Sequence, residues 1–474
     1  MSEDAQKPAD RGTNRSRTPQ SAEFFEYMSR NWADNAARIS HADEVAPYAR
    51  ARRETLANRF ANQTLIIAAG DAKQRANDTE YRFRAHSAFS HLTGWGANTV
   101  PGSVLVIQVG GHGQITEEAL YFRPTAGHDS NEFFANSAIG EFWVGQRPGL
   151  QQVSTSLSIE TRDVADLVIP TGALWVGADA RSFEASDSDE LVEAVSELRL
   201  VKDAFEIAEM RRAVAASVAG FENIVRNLPE AIGHQRGERL VETAFFAKAR
   251  ELGNELGYDT IAAAGNHANT LHWIVNDGQV RDGDLILVDA GVEVESLYTA
   301  DITRTLPVNG KFSPVQREIY EAVREAADAV FAIARPGIKF RELHAEAMKV
   351  IARKTHEWGI LPEGVSAEQS LDVEKQFHRR WMVHGTSHHL GMDVHDCAQA
   401  KRDLYLDGEL KPGMIFTIEP GLYFHENDLL APEHFRGIGV RIEDDVLVTE
   451  NGVENLSAAL PRTADDVEAW MAQF

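Results

Sequence analysis

The segments Asp284-Leu-Ile-Leu-Val-Asp289-Ala-Gly291 and Asp301-Ile-Thr-Arg-Thr305 each place a carboxylate in a strand pattern, where aspartate is normally depleted. The first runs through four apolar residues straight into Asp289. The second alternates, which puts Asp301, Thr303 and Thr305 on one face of a strand. A hairpin joining the two would set the aspartates side by side. Either aspartate alone reads as a solvated strand end; as a pair they give a functional reading equal weight.

Two further strands repeat the pattern. Met414-Ile-Phe-Thr-Ile-Glu419-Pro-Gly421 ends its apolar run on Glu419, and Val440-Arg-Ile-Glu443-Asp-Asp-Val446 carries Glu443 beside Ile442. Taken singly, Glu419 reads as a turn residue before Pro420 and Glu443 as part of a solvated edge strand. Histidines gather in His384-Gly-Thr-Ser-His388-His389-Leu-Gly-Met-Asp-Val-His395, and His272 stands apart before Trp273. Carboxylates gathered at close quarters need either raised pKa values or bound cations. Four carboxylates and an imidazole suit a pair of divalent ions, which polarise a carbonyl and activate water at neutral pH. Hard oxygen donors and no thiolate favour Mn(II), with Co(II) or Zn(II) also compatible. No HExxH, GxSxG or P-loop pattern offers another chemistry.

Working outward, 474 residues exceed one ordinary core and predict two or three domains. Residues 1–20 read as a polar, loose tail. Residues 21–198 read as an α/β domain, with apolar strands at Thr64–Ala69, Ser103–Val109 and Ala173–Val176. A leading helix is predicted over Ala22–Ile39, packed on that domain or on a neighbouring subunit. Residues 199–474 read as an α+β domain that opens in the helical block Leu198–Leu228 and ends in hairpins, one turning at Asn451-Gly452. A formal charge of −25 argues against a nucleic-acid partner. The single cysteine, Cys397, excludes an internal disulfide and reads as a small buried hydrophobe. The N-terminus lacks the apolar core of a secretory signal, and no run of about 18 apolar residues predicts a membrane span. A cytoplasmic location is expected.

The ordered set LVDAG, DITRT, HGTSHHLGMDVHD, TIEPG and GVRIEDD resembles the pita-bread metallopeptidases, and within them the aminopeptidase P branch related to prolidase and creatinase. Arg52–Leu56 and Asp78–Gly94 resemble the N-terminal domain of that branch, which methionine aminopeptidase lacks. The resemblance implies an α/β N-terminal domain plus an α+β pita-bread catalytic domain. It also implies hydrolysis of the bond before a penultimate proline in a peptide substrate, with two divalent metal ions per subunit. Asp289, Asp301, His388, Glu419 and Glu443 would be the metal ligands, with Glu419 also the general base. His388 rather than His389 is picked by the match. His272 and His395 would stabilise the tetrahedral intermediate and help position the peptide beyond the cut. His384, Tyr423 and Arg441 match substrate-side positions. The interval from Asp289 to Asp301 is one residue longer than the family spacing, which a longer turn around Glu295-Ser296 would absorb. A homo-oligomer, dimer or tetramer, is expected by the same likeness. The alternatives are a prolidase, which shares the five ligands, and a metal-free binding scaffold, which would have lost some of them.

Overall fold

The computed structural model describes residue 19 and residues 21–33, 41–77, 79–177 and 186–474. The expected tail lies almost wholly outside the described residues, as do positions 34–39 of the expected leading helix. That helix spans Ala22–Ser29, with the Ser21 hydroxyl accepting from the Phe24 amide at 3.2 Å. It stops well short of Ile39. Arg30 is extended, Asn31 turns into the left-handed region at φ 61°, and the Trp32 indole N–H donates back to the Met28 carbonyl at 2.7 Å. Phe24 and Phe25 lie against Phe134, 5.4 and 5.3 Å between ring centres, so the helix packs on its own first domain.

The first domain is a five-stranded mixed sheet in the order Thr161–Asp163, Ile115–Phe122, Val104–Val109, Thr64–Ala68 and Leu174–Val176. Near-continuous apolar strands, Thr64-Leu-Ile-Ile-Ala68 and Val104-Leu-Val-Ile, are what a sheet covered on both faces requires. Leu65, Ile67, Leu105 and Ile107 pack with Leu56, Phe89 and Leu92 on one face, while Ile66, Val104 and Trp175 form a smaller cluster on the other.

The second body of core begins at Leu200. Asp203 caps the helix Ala204–Ala231: its carboxylate accepts from the Glu206 amide, and Glu206 accepts from the Asp203 amide in return. This helix packs antiparallel on Gly237–Leu252, and Pro314–Ile333 packs on Phe340–Glu357. Between the helices lie short antiparallel sheets. Leu285–Ala290 is central to one, flanked by Ile261–Ala264 and Ile302–Pro307. No helix among the described residues is long and apolar enough to cross a membrane.

Two features of these sheets position the site. In the hairpin Leu285–Pro307, Asp289 pairs with Thr303, and the same register persists to the bridge between Glu293 and Thr299. The turn of this hairpin is Val294–Tyr298, closed by the Val294 amide on the Tyr298 carbonyl and bent by Leu297 at φ 71°. Nothing slips at the base. Gly291 is required there, because a Cβ would stand 1.7 Å from the Ala300 carbonyl oxygen.

The second feature is a gap. Val440–Thr449 is not one strand, as its sequence suggests, but two: Ile438–Arg441 pairs with Gly421–Phe424, and Asp444–Thr449 with Ile415–Ile418. Pro420 has no amide to return to Ile442, whose own amide reaches the Pro420 carbonyl at 3.4 Å, and the Glu443 amide goes to the Thr303 carbonyl at 3.0 Å. Register is equal on both sides of the gap, which sets Glu419 opposite Glu443. The Asn451-Gly452 turn closes the last hairpin, with Thr449 paired to Gly452.

Charged contacts join the two domains. Arg52 reaches across to Asp203 at 2.7 Å, and at the start of the second domain Lys202 reaches Asp396 at 3.1 Å and Arg199 reaches Asp393 at 2.9 Å. Arg84 holds Glu293 and the Met392 carbonyl, each at 2.5 Å.

Candidate active site

At the strand gap and the hairpin base, a cavity of about 600 Å³ opens. Its lining includes Asp289, Asp301, His388, Glu419, Glu443, His272, His395, His384 and Arg441. Tyr423 stands behind, its hydroxyl 2.7 Å from His384 Nε2 and 3.1 Å from Arg441 Nη1. All ten residues singled out from the sequence thus belong to one place.

Each carboxylate is held by a different element. Asp289 closes its strand with Oδ2 2.6 Å from Arg441 Nη2. Across the hairpin, Asp301 has Oδ2 3.2 Å from His388 Nε2. One hydroxyl, Tyr258, lies 2.6 Å from Asp289 Oδ1 and 2.5 Å from Asp301 Oδ1 and so bridges the pair. Glu443 accepts from the Thr303 hydroxyl at 2.7 Å, on the face that the alternation of residues 301–305 predicts. Glu419, at the gap, keeps Oε1 3.7 Å from His388 and Oε2 3.5 Å from His384.

The neighbouring histidines diverge. His388 Nδ1 faces the His389 carbonyl at 3.1 Å, leaving Nε2 toward the acids. His389 is buried instead against Phe340, 4.4 Å between ring centres, with neither ring nitrogen partnered. Successive residues of an extended segment face opposite ways, and only one can enter the cluster.

Electrostatics mark the cluster as short of positive charge. Burial, first, and then the mutual repulsion of the acids raise Glu443 and Asp445 well above the usual carboxylate range. Asp289 is raised mainly by burial, against the pull of Arg441. Glu419 is pushed up to about 8, again by burial before all else, despite His388 and Arg441. Burial works against a charged His388, yet Asp301 and Glu419 outweigh it and hold the ring up at about 9. His384, by contrast, is pushed down to about 3 by burial and by Arg441, and its neutral Nε2 accepts from Tyr423.

The donor set fits divalent cations. Asp301, His388 and Glu443 offer ligand atoms within 4.8 Å of one another, flanked by Asp289 and Glu419. Carboxylate oxygens and one imidazole are the hard to borderline donors that Mn(II), Co(II) and Zn(II) accept, and a cation would relieve the repulsion that raises these pKa values.

Tyr258 and Asp445 were not legible from the sequence. Asp445 is wholly buried and accepts from the Asp301 amide at 3.2 Å, so it fixes the backbone of one acid from below. The motif GVRIEDD contained it, but nothing local tells which of three consecutive acids faces the cavity. Tyr258 sits in Gly257-Tyr-Asp-Thr260, a segment without distinguishing pattern, 31 residues before its partner Asp289.

Comparison with known proteins agrees with this geometry. Residues 208–450 match the model of metallopeptidase family M24, and residues 49–168 match that of the aminopeptidase P N-terminal domain. The chain is similar to Xaa-Pro aminopeptidase 1 of Streptomyces coelicolor, 46% identical over 470 residues, 95% of this chain and 92% of that one. Among solved structures it is similar to proline aminopeptidase P II from Yersinia pestis, with a TM-score of 0.76 and 31% identity, covering 90% of this chain and 100% of that one. It is also similar to Zn-substituted Escherichia coli aminopeptidase P in complex with product, with a TM-score of 0.75 and 28% identity, covering 91% and 99%. With a family model over half its length and a relative at 46% identity over nearly all of it, the chain belongs to metallopeptidase family M24.

Proposed function

We propose that the chain is an Xaa-Pro aminopeptidase, releasing the N-terminal residue of peptides whose second residue is proline. Asp289, Asp301, His388, Glu419 and Glu443 would hold two divalent ions, Mn(II) first among them. The observation that carries this is the opposition of Glu419 and Glu443 across a strand gap, beside the tied pair Asp289–Asp301 and His388. Like charges placed opposite in a sheet destabilise it, so the arrangement needs a compensating role. Bound divalent ions supply Lewis acidity and lower the pKa of nearby water.

The chain's own groups do the rest. Glu419, with Oε2 turned toward His384 Nδ1 at 3.5 Å, is placed to take a proton and return it to the leaving nitrogen. His384, held neutral, stands beside Glu419 and transmits the fixed position of Tyr423 and Arg441. His272 and His395 line the wall, and His395 is lowered by burial and by the charge of His388, so a neutral ring faces the peptide. Each can donate a hydrogen bond to a carbonyl oxygen as charge develops there. Proline's imide nitrogen lacks a hydrogen, which makes this bond a poor substrate for general peptidases and a dedicated cavity useful. A cytoplasmic location is part of the same proposal, and so is assembly as a homo-oligomer, which rests on the kinship alone.

The test is a product assay with Mn(II) on Xaa-Pro-Yaa, Xaa-Pro and N-acetyl-Xaa-Pro-Yaa. The free tripeptide is expected to be cut fastest and the acetylated one not at all. A much better dipeptide substrate would make the chain a prolidase, and cleavage of the acetylated peptide would overturn the exopeptidase reading.

A further inference from the structure

His272 makes no side-chain hydrogen bond to any of the described residues, and it is exposed at the cavity wall. Its position must come from the backbone on either side. Leu271 and Ile274 line the cavity beside it, while Ile274 and Val275 remain 48% and 50% exposed. A segment this apolar would fold onto a core unless something held it out.

The holding group is Glu238, in the first turn of the helix Gly237–Leu252 and 0% exposed. Its Oε1 accepts from the Ala264 amide at 2.8 Å and faces His267 Nδ1 at 2.7 Å. Its Oε2 accepts from the Gly278 amide at 2.7 Å and from the Trp273 indole N–H at 2.9 Å. All four partners belong to residues 264–278, on both flanks of His272. Trp273 stacks on His267 at 3.9 Å, which locks two of the partners together. A second anchor is Asn276, fully buried at φ 49°. Its side chain lies along a strand edge as an extra rung, accepting from the Ala262 amide at 3.0 Å and donating to the Thr260 carbonyl at 2.8 Å.

We infer that Glu238 is a positioning residue that sets the cavity wall bearing His272. The inference rests on the role proposed above for His272. Three N–H donors and the His267 ring nitrogen converge on the side chain, which fits a carboxylate and not an amide. Glutamine would turn an NH2 group either against the Gly278 amide and the Trp273 indole or against the Ala264 amide. Glu238 acts only through the segment it gathers.

The experiment compares Glu238→Gln, His272→Ala and their combination in the metal-loaded enzyme, with amide hydrogen exchange, metal content and turnover of Xaa-Pro-Yaa as readouts. Exchange in residues 264–280 should rise about tenfold or more in Glu238→Gln, with exchange in the hairpin Leu285–Pro307 and metal content unchanged. The turnover number should fall by about 10²-fold, the scale of a misplaced group. In the His272→Ala background the same change should lower it less than about threefold, because the two act on one path. Unchanged exchange in residues 264–280 overturns the positioning role by itself. Equal losses with and without His272 show that Glu238 does not act through it. Wild-type turnover in His272→Ala overturns the role of His272, a failure the exchange measurement does not share. Trp273→Phe, which removes one partner of four, should move exchange and turnover in the same directions by less, and it carries the comparison if Glu238→Gln does not fold.

Discussion

Two groups of buried carboxylates in this molecule differ in one respect. Along the domain boundary, Asp396 and Glu206 have their cations, whereas Glu293 stays raised by burial despite Arg84. Burial works against the charge of Asp396, but Arg199 and Lys202 outweigh it and hold the acid below its ordinary range. Burial likewise opposes Glu206, yet His91, Arg52 and Lys202 bring it down to about 2. His91 is itself held neutral by burial, so the permanent charges there are Arg52 and Lys202. Around the cavity the balance is reversed. Asp289, Glu419, Glu443 and Asp445 are all raised, with Arg441 and His388 too few to compensate them. Burial is common to both groups; only Asp396 and Glu206 are neutralised from within. Compensated acids hold a structure together, and uncompensated ones are poised to receive charge from outside.

Removing the metal should break this contrast most sharply. Chelation should abolish hydrolysis of Xaa-Pro-Yaa and Mn(II) should restore it; elemental analysis should find two ions per chain, and activity indifferent to chelator would sink the mechanism. At a concentration about 100 times its Kd, a metal that binds only the folded state adds about 2.7 kcal/mol of stability. The pH dependence of the apo-protein then follows from Glu419. Its carboxyl rises on folding from 4.5 to about 8, so the folded state holds its proton more tightly. Stability contributed below pH 4.5 is therefore lost as the pH rises toward 8. Thermal melts of apo-protein should fall across that window, and Mn(II) should flatten the curve.

Glu419→Gln should come next, lowering the turnover number by at least about 10²-fold. Because it removes an uncompensated charge, its apo form should melt no lower than wild type at pH 8. Near-normal turnover with metal bound would assign the proton transfer to another group.

The boundary should answer in the opposite sense. Glu206→Gln removes the buried charge that faces Arg52 at 3.7 Å and accepts from Tyr298, while Arg52 keeps Asp203, and should cost about 1–3 kcal/mol, read by denaturant titration. In the wild type, Glu206 drops on folding from 4.5 to about 2, so its contribution is full above pH 4.5 and lost as the pH falls toward 2. The variant should show a shallower acid transition than wild type. The smallest effect is expected from Tyr258→Phe, which unties Asp289 from Asp301 and should lower kcat/KM by about tenfold, the scale for groups that orient metal ligands. A loss as large as that of Glu419→Gln would give the hydroxyl a direct part in the reaction.

The acids at strand ends were legible because carboxylates are rare in strands, and their order along the chain carried the family resemblance. Pro420 was legible as a turn signal. Its effect on the opposite strand was not, since a missing amide at one position is felt only where the partner Ile442-Glu443 comes to pair. Tyr258, Asp445 and Glu238 were invisible for a similar reason. Each matters through contacts 26 to 144 residues away, and none breaks a local rule of its own segment. The leading helix misled in another way: Trp32 keeps the helical spacing of its apolar neighbours, but it closes the helix with its indole N–H rather than continuing it.

The hairpin that carries Asp289 and Asp301 is also a lever. Its turn lies against the first domain, where the Ala97 amide donates to the Glu295 carbonyl at 2.8 Å and a Cβ on Gly96 would collide with that same oxygen. Its other end is the tied pair of acids. With register unbroken between the two, the hairpin has no slack in which to dissipate a displacement. The first domain, which contributes none of the five proposed ligand side chains, is therefore seated on the far end of the hairpin that carries two of them.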